Sequence, residues 1–130
     1  MEHKPLTDQE ERVAKAIVDA AFAVHSTLGP GLLESIYELS LCHELAKRGL
    51  SFRRQVEVPV VYDGITFQAA LRLDVLVEEL VICELKAAET DNPVFSAQIL
   101  TQLKLTGKRL GLLIDLNVPR IKDGIRRIIC

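Results

Sequence analysis

No uninterrupted apolar run in this chain approaches the roughly 18–20 residues that a bilayer crossing requires. The longest candidate, Ala14 to Val24, is broken by Lys15 and Asp19. A basic stretch leading into an apolar one is also missing, so no signal peptide and no membrane partner are expected, and the expected location is cytoplasmic. Cysteine is scarce. Cys42, Cys83 and Cys130 are odd in number and far apart, and no CxxC pair points to zinc or redox work. Free thiols in a reducing compartment are expected instead. Repeats, low-complexity tracts and linkers are absent too, which leaves a single domain over residues 1–130. Its hydrophobic content of 48% and charged content of 26% are those of a globular chain able to bury its own core.

An excess of basic charge is likewise missing, since the formal net charge is −2. The distribution says more than the sum. Residues 101–130 hold 7 basic side chains, Lys104, Lys108, Arg109, Arg120, Lys122, Arg126 and Arg127, against only Asp115 and Asp123. Such a cluster is compatible with an ordinary solvated face or with a surface that contacts phosphate.

What is present is strong local punctuation. Thr7 with Glu10 three residues later has the form of a capping box. Val13, Ile17, Ala20, Ala21, Val24 and Leu28 then recur at helical spacing until "GPG" at Gly29 to Gly31 ends the helix. A second helix carries Leu33, Ile36, Tyr37, Leu41 and Leu45 on one stripe, with Gly49 as its left-handed stop. From Phe52 the period becomes two, and Pro59 predicts an edge strand or a bulge. Asp63-Gly64 signals a type I′ hairpin into a strand that runs to Val77, and a third strand covers Val81 to Ala87. Asn92 and Pro93 open a third helix that ends near Gly107. Arg109 to Leu116 reads as a buried strand, followed by a loop and a short closing element. The predicted order is ααβββαβ, an α/β fold with a mixed sheet flanked by helices.

The stretch "LDVLVEELVICELKAAE" (Leu73 to Glu89) places charge where a sheet keeps aliphatics. Alternation puts Leu71, Leu73, Val75 and Val77 on one face, and Arg72, Asp74 and Leu76 on the other. A three-residue connection, Glu78-Glu79-Leu80, pairs Val77 with Val81, sets Asp74 opposite Glu84 and sets Arg72 opposite Lys86. Opposed carboxylates repel, by a few tenths to about 1 kcal/mol. A shared proton offsets that cost, and so does a divalent cation. Hard oxygen donors with no Cys or His cluster suit Mg²⁺ or Mn²⁺. With Lys86 on the same face, the set has the parts that phosphodiester hydrolysis needs.

These residues carry a resemblance. "DVLVEELVICELK" resembles the D…ExK core of the PDDEXK nuclease superfamily, which has a restriction-endonuclease-like fold. "GLLESIY" (Gly31 to Tyr37) has the form that names the GxxExxY protein family within it. "AQILTQLKLTG" and "GLLIDLNVPRIKDGIRRI" extend the likeness to the C-terminus. The resemblance implies a Mg²⁺-dependent nuclease acting on DNA, with Asp74 and Glu84 as metal ligands and Lys86 as catalytic lysine. It implies Glu34 as a further site acid from the second helix, although end-charge complementarity explains that residue equally. Gln98 matches a glutamine that nuclease branches place near substrate or metal, but a surface role fits it as well. Two positions depart from the pattern: Gln102 stands where QxxxY has tyrosine, and Phe95 where a histidine is associated with it. His25 and Tyr37 are expected to be packing residues. A core this small suits a homodimer presenting two sites. The alternative reading is a catalytically impaired nucleic-acid-binding or subunit-interaction module.

Overall fold

In the computed structural model, which describes residues 4–130, the helical stripes become α1 (Asp8–Leu28) and α2 (Glu34–Lys47). The capping box is formed: the Thr7 hydroxyl accepts from the Glu10 amide at 3.1 Å, and the Glu10 carboxylate accepts from the Thr7 amide at 2.7 Å. Between the helices the fully buried Tyr37 holds the "GPG" turn. Its hydroxyl donates to the Gly29 carbonyl at 2.7 Å and accepts from the Leu32 amide at 3.0 Å. His25, also buried, ties α1 to the loop after the fourth strand through Nε2 and the Val118 carbonyl, 2.7 Å apart. Both residues therefore do structural work.

The strands follow as β1 (Phe52–Tyr62), β2 (Ile65–Val77) and β3 (Val81–Lys86). Asp63 and Gly64 turn the first hairpin with φ of 51° and 78°, the double positive φ of a type I′ turn. β1 is an edge strand and carries a bulge between Val58 and Val60, so Pro59 has both features expected of it. Helix α3 (Pro93–Thr106) starts where the Asn92 side chain accepts from the Val94 amide at 3.0 Å. β4 (Leu110–Asp115) is followed by a 3₁₀ turn (Ile121–Gly124) and β5 (Ile125–Ile129). The closing element is thus a fifth strand, which the short apolar "IRRII" does not announce by itself.

The sheet runs β1-β2-β3-β4-β5, with β3 and β4 parallel and the other neighbours antiparallel. Helices α1 and α2 cover one face, against Val75, Val77, Cys83, Leu85 and Leu112. Helix α3 covers the other with Ile99 and Leu103, against Leu76, Ile82 and Leu113. This is a three-layer α/β/α domain. Gly111 allows α3 to approach, because a β-carbon there would stand 2.5 Å from the Ile99 side chain. Cys42 and Cys83 are buried free thiols, and burial raises both thiol pKa values, that of Cys42 to about 11. No helix among the described residues is long and apolar enough to cross a membrane.

Two details of the expected alternation are corrected. Leu71 and Leu73 pack with the α3 cluster rather than beside Val75 and Val77. Neither the pairing of Asp74 with Glu84 nor that of Arg72 with Lys86 forms in the sheet, because the β2–β3 ladder ends at Val75 and Cys83. Both follow from an irregularity at Asp74 that shifts the strand's facing.

Gly124 is the tightest point of the fold. A β-carbon there would lie 2.0 Å from the Asp115 carbonyl oxygen. Gly124→Ala is therefore expected to pry the 3₁₀ turn from the end of β4 and to destabilise the protein by roughly 1–3 kcal/mol. A urea unfolding midpoint measures it, and an unchanged midpoint would contradict the packing described.

Candidate active site

The irregularity at Asp74 builds the site. From the turn, the β2–β3 ladder pairs Val77 with Val81, Leu76 with Ile82 and Val75 with Cys83, and then stops. On the other side, β1 passes from the Arg54–Val75 pair to the Val56–Leu73 pair, skipping Gln55 and Asp74. Gln55 has φ of 50°, a left-handed value that lets its strand bulge. Glu38, a buried acid on α2, holds this bulge. It accepts from Arg54 at 2.9 Å and from Gln55 at 2.8 Å. With the ladder open, the Asp74 carboxylate fills the place of a backbone acceptor and takes the Leu85 amide at 2.9 Å.

That contact draws the Asp74 carboxylate to β3 beside Glu84, the residue before Leu85. Glu84 is 8% exposed. Burial, and then the neighbouring Asp74 carboxyl, push its pKa well above the usual carboxylate range, while the Gln102 amide and the Lys86 charge oppose this only in part. Gln102 supplies the third contact, its Nε2 donating to Glu84 Oε2 at 2.7 Å.

Lys86 ends β3, where parallel pairing sets it beside Asp115, the last residue of β4. The site thus lies at the carboxyl ends of the parallel strands, the usual place for ligands in such sheets. The Lys86 ammonium sits 4.6 Å from the centroid of the Phe95 ring, a cation–π contact. A cavity of about 130 Å³ opens beside it, lined also by Phe95, Asp115 and Arg126. Glu34 lies on the exposed first turn of α2, at the rim. Its carboxyl is raised above its ordinary value by partial burial and then by the charge of Asp74, so it stands in the field of the pair.

The structure brings together Asp74, Glu84 and Lys86, with Glu34 at the edge. It does not bring in Gln98, which is exposed and makes no hydrogen bond among those described. Gln102, read from sequence only as a departure, is the glutamine that touches the site. A signal existed: Phe95, Ile99, Gln102, Leu103 and Thr106 fall on one helical stripe, so a polar residue stands amid the buried face, while Gln98 lies off it.

The seven basic residues do not form one surface. Arg126 and Arg127 point to opposite sides of β5: the first bonds Asp91 at 2.7 Å near α3, the second Glu11 at 3.0 Å on α1. Those arginines hold the Asp91 and Glu11 carboxyls below their ordinary values. Arg120 pairs with Asp123 at 3.6 Å, and Arg109 bonds the backbone carbonyls of Lys4 and Pro5. Lys104, Lys108 and Lys122 make no ion pair among the described residues.

No group of three or more His, Cys, Asp or Glu side chains among the described residues is gathered into a metal cage. Glu34 is not gathered with Asp74 and Glu84 into such a group. Mg²⁺ does not need such a cage, since it is held by one or two carboxylates with waters and phosphate oxygens completing the shell. The donor chemistry fits: two hard carboxyl groups meet in a buried place that favours a proton or a cation between them. A buried amide oxygen, Gln102 Oε1, stands beside them without a hydrogen-bond partner.

Comparison with known proteins gives one match. A family model described as the PD-(D/E)XK nuclease superfamily covers residues 11–128. No curated protein and no solved structure matches the chain.

Proposed function

Because the chain belongs to the PD-(D/E)XK nuclease superfamily, we propose that it is a nuclease that hydrolyses phosphodiester bonds of DNA with Mg²⁺ or Mn²⁺. The observation that carries the reading is the buried Glu84 carboxylate beside Asp74, which takes the adjoining Leu85 amide at 2.9 Å, with Lys86 two residues further along the strand. Asp74 and Glu84 would hold the cation, which polarises a phosphate oxygen and makes hydroxide available near neutral pH. Lys86 stands where its ammonium can balance charge developing on the phosphoryl oxygens. Phe95 keeps that ammonium at the strand end, and Glu34 adds a rim acid, the residue that a GxxExxY member would use from α2. Of the basic residues, Lys104, Lys108 and Lys122 have neither an ion pair nor backbone bonds such as those of Arg109 to break among the described residues, so they are the first candidates for phosphate contacts. A cytoplasmic homodimer suits the small surface, and sedimentation checks the assembly.

Linear, nicked, branched and single-stranded DNA incubated with Mg²⁺ or Mn²⁺ test the reading. Cleavage that chelator stops is expected. No cleavage together with no calorimetric Mn²⁺ binding would count against it. The departures at Phe95 and Gln102 favour a second reading, a catalytically impaired nucleic-acid-binding or subunit-interaction module. DNA binding that depends on salt, yet is indifferent to Mg²⁺ and to Lys86→Ala, would support that one.

A further inference from the structure

We infer that one face of α3 fixes both ends of the Glu84–Lys86 pair, with Gln102 positioning the Glu84 carboxyl and Phe95 positioning the Lys86 ammonium. The inference rests on the nuclease reading and adds to it which residues keep the site assembled. Residues 95 and 102 are seven apart, two helical turns, so they share the face of α3 that meets the sheet. Glu84 and Lys86 are two apart on β3 and share the face that meets α3. Each helical residue reaches one strand residue. Gln102 Nε2 lies 2.7 Å from Glu84 Oε2, and the Phe95 ring centroid lies 4.6 Å from Lys86 Nζ.

The two contacts do different things. Glu84 has two oxygens, and the Gln102 amide donates to Oε2, which leaves Oε1 available to a cation. Gln102 itself is 5% exposed, and its Oε1 is buried without a partner. Buried polar atoms are rarely left so unless a water or ligand completes them. An apolar residue would fill this helical position without that defect, so the amide is retained for what it holds. Phe95 is half-buried, and its ring offers the ammonium an attractive face without pairing its charge. A carboxylate at that position would neutralise Lys86, whereas the ring leaves its charge available.

Calorimetric Mn²⁺ titration and cleavage kinetics test this on the full chain. Gln102→Met keeps the length and removes the amide, and Gln102→Asn keeps the amide and removes the reach. Each is expected to weaken Mn²⁺ binding about 10- to 100-fold, the usual effect of losing a partner behind a metal ligand. Should Gln102→Met fail to fold, Gln102→Asn carries the test. Phe95→Leu is expected to leave Mn²⁺ binding unchanged and to lower kcat about two- to fivefold with KM unaltered, and Phe95→Tyr to restore it. Wild-type protein that binds Mn²⁺ as tightly as both Gln102 variants overturns the inference and spares the nuclease reading. Equal kcat loss in Phe95→Leu and Phe95→Tyr overturns the Phe95 half alone. Wild-type protein that neither binds Mn²⁺ nor cleaves overturns the reading and the inference with it.

Discussion

Lys86→Ala is expected to reduce DNA cleavage by about 10²–10³-fold or more while the protein stays folded and still binds Mn²⁺. The three outcomes have separate physical causes. Cleavage falls because, among the described residues, the other cation lining the cavity, Arg126, is already bonded to Asp91 and to the Ser96 hydroxyl. The fold survives because Lys86 is only half-buried and ends its strand, so truncation loses one aromatic contact. Metal binding persists, or tightens, because the variant removes a positive charge close to Glu84. Asp74→Asn should behave in the opposite way, keeping Lys86 and losing the metal. Single-turnover cleavage with calorimetry on both variants separates the roles. Undiminished cleavage by Lys86→Ala would remove the lysine from the mechanism.

Raising the pH should weaken the metal-free protein, by several kcal/mol in total, and Mg²⁺ should cancel the loss. Glu84 is lifted from 4.5 to about 8, chiefly by burial and by Asp74. The folded chain therefore keeps a proton on Glu84 over a range where the unfolded chain has released it. The folded state binds more protons there, so stability falls as pH rises through that window, by up to about 1.4 kcal/mol for each unit. Glu34, raised in the same direction, adds to the slope. Glu11, Glu44, Glu78, Glu79 and Asp91 are held below their ordinary values by arginine, lysine or serine partners, and their opposite contributions fall at lower pH. A cation between Asp74 and Glu84 replaces the proton and stabilises only the folded chain. Glu84→Gln should flatten the window and leave the metal-free variant more stable than wild type at pH 8, since an amide carries no charge to bury. Urea unfolding from pH 5 to 9, with and without Mg²⁺, measures all three curves. A flat metal-free curve would mean that Glu84 is not strained by its neighbour.

Local signals carried far in this chain. The capping box at Thr7, the "GPG" turn, the Asp63-Gly64 hairpin and the Asn92-Pro93 helix start all depend on residues within a few positions of one another. Each appears where its chemistry demands. The three-residue turn that brings Val77 opposite Val81 was legible for the same reason, but the pairing of Asp74 with Glu84 expected from it gives way to a bond from the Leu85 amide to the Asp74 carboxylate. The final strand was not legible, because "IRRII" gains strand character only by pairing with β4.

By itself, then, the amino-acid order determined the elements up to β4, the helix ends and the placing of two acids and a lysine in one hairpin, because these follow from backbone preferences and from turn chemistry. Only the tertiary structure decided that the sheet opens at Asp74, that Gln102 rather than Gln98 reaches Glu84, and that Arg126 and Arg127 are drawn to acids on opposite faces. Those outcomes depend on partners 11 to 116 positions away along the chain, and side chains find such partners only once the layers have packed.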